Sequence, residues 1–79
     1  MIFDKVKETI IDIMDLPEDE ILLESHLFDE LDADSLDMAQ IFLALEVNYD
    51  ISSDDTDISD IKTVGNIVNY IQNEINKKQ

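Results

Sequence analysis

Asp34-Ser35-Leu36 is the stretch of this chain with the most to offer chemically. It stands at the start of a strongly helical run. A serine at the head of a helix is presented rather than buried, and the first N–H groups there are unpaired. The positive end of the helix dipole lies at the same place. A phosphate ester on Ser35 would therefore be favoured by the backbone, whatever the side chains around it do. Those side chains are strongly acidic: from Glu8 to Ile61 there are eighteen Asp or Glu and no Lys or Arg. The plainer reading of Ser35 is a helix cap, the commonest use of such a serine. Both roles are compatible, because the backbone N–H groups remain available in either case.

Two other groupings carry less. Ser25 and His26 are adjacent, but a hydrolytic triad needs a base reaching the nucleophile, an orienting acid and an oxyanion hole. Adjacent residues do not make that geometry, and His26 reads as a loop residue. The runs Asp32-Ala33-Asp34 and Asp54-Asp55-Thr56-Asp57 resemble fragments of a calcium loop. Such a loop requires glycine at its sixth position and glutamate at its twelfth, and the single glycine, Gly65, lies outside both runs. No dedicated metal site is expected, although the charge density suits weak divalent binding.

The elements that position these residues read as helices. Phe3, Val6, Ile10, Ile13 and Met14 recur at helical spacing, and Asp15-Leu16-Pro17 ends the run because the residue before proline avoids the α region. Residues 17 to about 33 form a long loop, with Ile21, Leu22, Leu23, Leu27, Phe28 and Leu31 expected to pin it to the core. Loops of this length in a small domain are functional or well anchored. A second helix is predicted from Ser35 to Tyr49, capped by Asp34 or Ser35, with Asp37 well placed in the first turn. A polar break over Asp50–Asp55 and a short helix over Asp57–Ile61 follow. Thr63 then caps a last helix with the apolar stripe Val64, Ile67, Val68, Ile71 and Ile75. Lys77 and Lys78 fall at its end, where positive charge is favoured. The expected fold is an all-α bundle of three main helices and one short one, in a single domain over residues 1–79.

Composition limits the partners. The 79 residues allow one small core, and the 44% hydrophobic content argues for a folded chain. A net charge of -15, with five lysines and no arginine, argues against nucleic acid and anionic membranes and in favour of basic protein surfaces. The chain has no cysteine, so thiol chemistry would have to come from a cofactor. No apolar run reaches membrane-spanning length, and the first residues show no signal-peptide pattern. A cytoplasmic monomer is the expectation.

Leu31-Asp32-Ala33-Asp34-Ser35-Leu36-Asp37 resembles the attachment motif of the acyl carrier proteins. Ala44-Leu45-Glu46 with Tyr49-Asp50 resembles the end of that family's second helix. Ile61-Lys62-Thr63-Val64, followed by Ile67 and Tyr70-Ile71, resembles its last helix. The resemblance covers nearly the whole chain. It implies that a transferase using coenzyme A esterifies Ser35 with 4′-phosphopantetheine, and that the thiol of this arm holds acyl groups as thioesters. It implies a carrier for fatty-acid or related biosynthetic enzymes with basic docking surfaces, not an enzyme. Asp34 and Leu36 would flank the attached group, with Asp34 orienting the serine or the transferase's metal. Within the carrier class, a stand-alone polyketide, peptide-synthetase or D-alanyl carrier is the alternative. Outside it, the alternative is an acidic helical adaptor with no cofactor.

Three departures from the family pattern stand out. Asp32 replaces a glycine, Gln40 replaces an acid in the middle of the second helix, and Ser53-Asp54 replaces an Ile-Pro step. Asp tolerates a left-handed backbone better than most residues, which allows the turn at Asp32 to persist. The second helix also carries two apolar stripes. Met38, Ile41, Phe42, Leu45 and Tyr49 suit the core, while Leu36, Ala39, Leu43 and Val47 lie on a different face. Either the helix is buried nearly all round, or the second stripe is a docking patch. In the latter case Asp37, Glu46 and Asp55 would form its acidic rim, and Gln40 would sit within it.

Overall fold

In the computed structural model, residues 1–51 and 60–78 are described, and they form three helices and one 3₁₀ turn: α1 (Ile2–Met14), a turn over Glu18–Glu20, α2 (Ser35–Tyr49) and α3 (Val64–Lys78). Helix α1 lies against both α2 and α3. Between α2 and α3, the rings of Phe42 and Tyr70 meet edge to face, with centroids 5.5 Å apart. The core holds Val6 and Ile10 from α1, Met38, Ile41, Phe42 and Leu45 from α2, and Val64, Ile67 and Ile71 from α3. Each set follows the three-and-four spacing of a helix face, and Val68, Tyr49 and Ile75 pack against its margin. The short helix expected over Asp57–Ile61 and the Ser53-Asp54 step fall outside the described residues, apart from Asp60 and the buried Ile61.

Aspartates end two of the helices. Asp15 takes the left-handed conformation (φ 55°) and sends its N–H to the Ile11 carbonyl, closing α1 two residues before Pro17. Asp50 does the same for α2 (φ 52°), with its N–H on the Glu46 carbonyl. Such positions usually take glycine; Asp is among the few side chains that tolerate them.

Among the described residues, the loop before α2 is the most heavily bonded irregular segment. Ser25 is buried, and its hydroxyl accepts from Leu22 N–H (2.9 Å) and donates to the Glu20 carbonyl (3.0 Å). The loop then cradles the head of α3. Leu27 N–H donates to the Lys62 carbonyl, Val64 N–H to the Ser25 carbonyl and Gly65 N–H to the Leu23 carbonyl, at 2.8–3.1 Å. A Cβ on Gly65 would lie 3.1 Å from that Leu23 oxygen, which explains the glycine here. Thr63 caps α3 as expected: its hydroxyl accepts from Asn66 N–H, and the Asn66 side chain accepts from Thr63 N–H.

The loop also corrects one expectation. Ile21, Leu27 and Leu31 are buried, but Leu22, Leu23 and Phe28 are exposed. Neighbours in extended chain point to opposite sides, and the backbone of residues 22–25 is committed to its own turn and to α3. Ile21 and Leu27 fill the core instead.

Candidate functional site

Ser35 is the first residue of α2, and it is exposed. The cap is the residue before it. Asp34 has extended backbone (φ -113°, ψ -177°), its Oδ1 accepts from Asp37 N–H at 2.8 Å, and Asp37 Oδ2 accepts from Asp34 N–H at 3.2 Å. This reciprocal pair satisfies one orphan donor of the helix and fixes the angle at which the chain enters α2. Of the two candidate caps, Asp34 has the role and Ser35 does not. Among the described residues, nothing accepts a hydrogen bond from the N–H of Ser35 or Leu36, and the Ser35 hydroxyl has no partner.

These features suit a phosphoryl group on the serine. Two unpaired N–H groups and the positive end of a 15-residue helix favour an anion there. The carboxylates of Asp34 and Asp37 oppose it, but each is already hydrogen-bonded to the backbone of the other. The hydroxyl is free to be esterified without breaking a bond that holds the fold.

Asp32 sets the approach to this site. It adopts φ 59°, the left-handed region expected where the family places glycine. Ala33 follows it into the core, with its N–H on the Leu27 carbonyl at 2.9 Å. Left-handed backbone costs an L-residue about 1–2 kcal/mol. Asp32→Gly is therefore expected to stabilise the chain by about 0.5–1 kcal/mol, and Asp32→Val to destabilise it by at least about 1 kcal/mol. Equal urea midpoints for the three proteins would show that the turn does not depend on this conformation.

Helix α2 is buried on one side only. Met38, Ile41, Phe42 and Leu45 face the core, while Leu36, Leu43 and Val47 are 65%, 63% and 77% exposed. Ala39 and Gln40 are also exposed, and Asp37 and Glu46 are half-buried beside them. The apolar stripe is thus open to solvent, and burial all round is excluded. Asp55, the third acid of the expected rim, lies outside the described residues.

The remaining candidates separate from this site. Ser25 and His26 are in the loop that holds α3, with the Ser25 hydroxyl turned inward to the loop backbone. Among the described residues, no three His, Asp or Glu side chains stand together in a way that could hold a metal ion. Ion pairs are few there: Lys7 with Glu18 (3.1 Å), Lys77 with Glu74 (2.9 Å), and the N-terminal ammonium with Asp4 (3.9 Å). Most of the acids among the described residues lie outside these pairs, and the excess negative charge is self-repelling in the compact state. Added salt or millimolar magnesium is expected to raise Tm near neutral pH. A gain of about 1 kcal/mol would show as about 4–8 °C for a domain of this size. A Tm insensitive to both would mean that hydration already neutralises the repulsion.

Three features here were not predicted from the sequence. The Asp34–Asp37 box was legible in the D-x-x-D spacing, and the Thr63–Asn66 box in T-x-x-N, but in each the third residue after the cap is Asp or Asn rather than the usual Glu or Gln. The inward hydroxyl of Ser25 left no local signal, because its partners depend on how the loop folds back.

Comparison with known proteins agrees with this geometry. A family described as a phosphopantetheine attachment site matches residues 4–71. A protein named acyl carrier protein from Clostridium perfringens is 44% identical over 95% of this chain and 99% of its own length. One of the same name from Clostridium acetobutylicum is 42% identical over 91% of this chain and 94% of its own. Another, from Petrotoga mobilis, is 39% identical over 95% of this chain and 88% of its own. Aligned almost end to end with such relatives, and matching the attachment-site family over most of its length, the chain belongs to the acyl carrier protein family, which carries a covalently attached 4′-phosphopantetheine and is not an enzyme.

Proposed function

We propose that Ser35 is the residue esterified by 4′-phosphopantetheine, and that the chain presents acyl groups to fatty-acid or related biosynthetic enzymes, in the cytoplasm. The carrying observation is the division of labour at the head of α2. Asp34 does the capping, so the Ser35 hydroxyl is exposed, unbonded and adjacent to two unpaired N–H groups. When bound, the arm supplies a terminal thiol that holds acyl groups as thioesters, a function that a chain without cysteine cannot supply itself. The residues of the chain would bear the arm on Ser35, favour its phosphate at the helix head and offer a surface to the enzymes that act on the cargo.

That surface is the exposed stripe of α2. Leu36, Ala39, Leu43 and Val47 supply an apolar centre, Asp37 and Glu46 an acidic edge, and Gln40 a neutral position within it. An apolar centre with a charged rim is a common interface anatomy, in which the rim speeds encounter and the centre holds the complex. A net charge of -15 favours basic surfaces on phosphopantetheinyl transferases and acyl-processing enzymes alike. The stripe begins one residue after Ser35, so a docked enzyme would sit beside the arm.

The mass of the protein taken from its native host tests this reading. A phosphopantetheinyl adduct is expected, with or without a cargo. Its absence would favour an acidic adaptor. A fatty acyl thioester would support the fatty-acid reading, and an aminoacyl, D-alanyl or polyketide cargo would move the chain to a specialised pathway.

A further inference from the structure

The chain has one histidine, and the attachment reading gives it no role. His26 stands at the start of a single helical turn in the loop before α2. The N–H groups of Glu30 and Leu31 donate to the His26 carbonyl at 3.0 and 3.1 Å. Glu30 Oε1 accepts from His26 N–H at 2.9 Å, and His26 Nδ1 accepts from Asp29 N–H at 3.1 Å. This is a capping arrangement in which an imidazole nitrogen stands where a Ser, Thr, Asp or Asn oxygen ordinarily would.

The difference has a chemical consequence. In neutral imidazole one ring nitrogen accepts and the other carries a proton, while in the protonated ring both donate. The Asp29 N–H aimed at Nδ1 fixes the neutral tautomer with its proton on Nε2. A second proton must enter at Nδ1, the atom that holds the turn. It would turn Asp29 N–H from a satisfied donor into one facing another donor. The Asp29 carboxylate is close enough to take over, since its Oδ2 lies 3.7 Å from Nδ1.

We infer that His26 is a titratable cap: protonation at Nδ1 exchanges a backbone hydrogen bond for a side-chain ion pair with Asp29 and loosens the turn over residues 27–30. The charged residues on its own turn are Asp29 and Glu30; Glu24 comes two residues earlier in the loop, and Lys62 lies on the facing stretch before α3. There the Lys62 carbonyl accepts from Leu27 N–H, and His26 pairs with Thr63 in an isolated bridge. The hydrogen bond exchanged lies within one turn, from Asp29 N–H to His26 Nδ1, so the change is local and leaves the global fold in place. The turn leads directly to the site. Ala33 N–H is held by the Leu27 carbonyl, and Asp34, the cap of α2, is the next residue. Loosening therefore reaches the approach to Ser35, whether or not Ser35 carries the arm.

Nuclear magnetic resonance on the full chain tests this. At about pH 8, imidazole nitrogen shifts should report Nδ1 as the unprotonated atom; a ring with its proton on Nδ1 would overturn the proposal without any variant. Between about pH 8 and about pH 5, the span over which histidine changes charge, the amide protection factor of Asp29 should fall. The expected loss is about three- to tenfold, the worth of one ordinary hydrogen bond. That of Leu45 in the core of α2 should hold constant. In His26→Asn, whose cap does not titrate, Asp29 protection should stay flat over the same span. A flat wild-type profile, or an equal fall in the Asn variant, would place the pH response elsewhere and overturn the assignment.

Discussion

Leu45→Ala is expected to destabilise the chain by about 2–5 kcal/mol, the usual result of emptying a fully buried leucine site. Leu43→Ala, two residues earlier on the same helix, is expected to change stability by no more than about 0.5 kcal/mol. Its effect should appear in turnover instead: transfer or acylation by partner enzymes should slow about fivefold or more, as for truncation of an interface anchor. The contrast follows from the roll of α2. Leu45 is fully buried in the core, whereas Leu43 is 63% exposed on the stripe next to Ser35. Urea unfolding of both variants, paired with steady-state kinetics of a partner enzyme, separates the two effects. A loss of several kcal/mol in Leu43→Ala, with unchanged turnover of the folded fraction, would put Leu43 inside the molecule and remove the docking face.

The two stripes of α2 also mark what the residues alone could decide. Periodicity placed Met38, Ile41, Phe42 and Leu45 on one face and Leu36, Ala39, Leu43 and Val47 on another, but both faces were apolar. Which one met the core depended on the positions of α1 and α3, and spacing within one helix carries no information about those. The bounds of α2 were legible because both ends carry local signals, Asp34 at the start and Asp50 after Tyr49. Thr63 announced α3 in the same way. The loop was the least legible part. Its order comes from pairings between residues far apart in sequence, such as Leu23 with Gly65 and Leu27 with Lys62, and apolar content alone overstated how many of its side chains turn inward. Asp32 is the opposite case. One aspartate where the family has glycine was enough to expect a left-handed residue, and φ 59° agrees.

In the proposed function, the α2 cap and the attachment residue are different side chains. Because Asp34 holds the helix head, Ser35→Ala removes a hydroxyl that bonds to nothing and should cost less than about 0.5 kcal/mol. The variant should fold as the wild type does and be unable to accept the arm. The direct measurement is the intact mass of wild type and Ser35→Ala after incubation with coenzyme A and a phosphopantetheinyl transferase. Wild type is expected to gain one phosphopantetheinyl group and the folded Ala variant none. An adduct on the Ala variant would place the attachment at another residue and contradict the account.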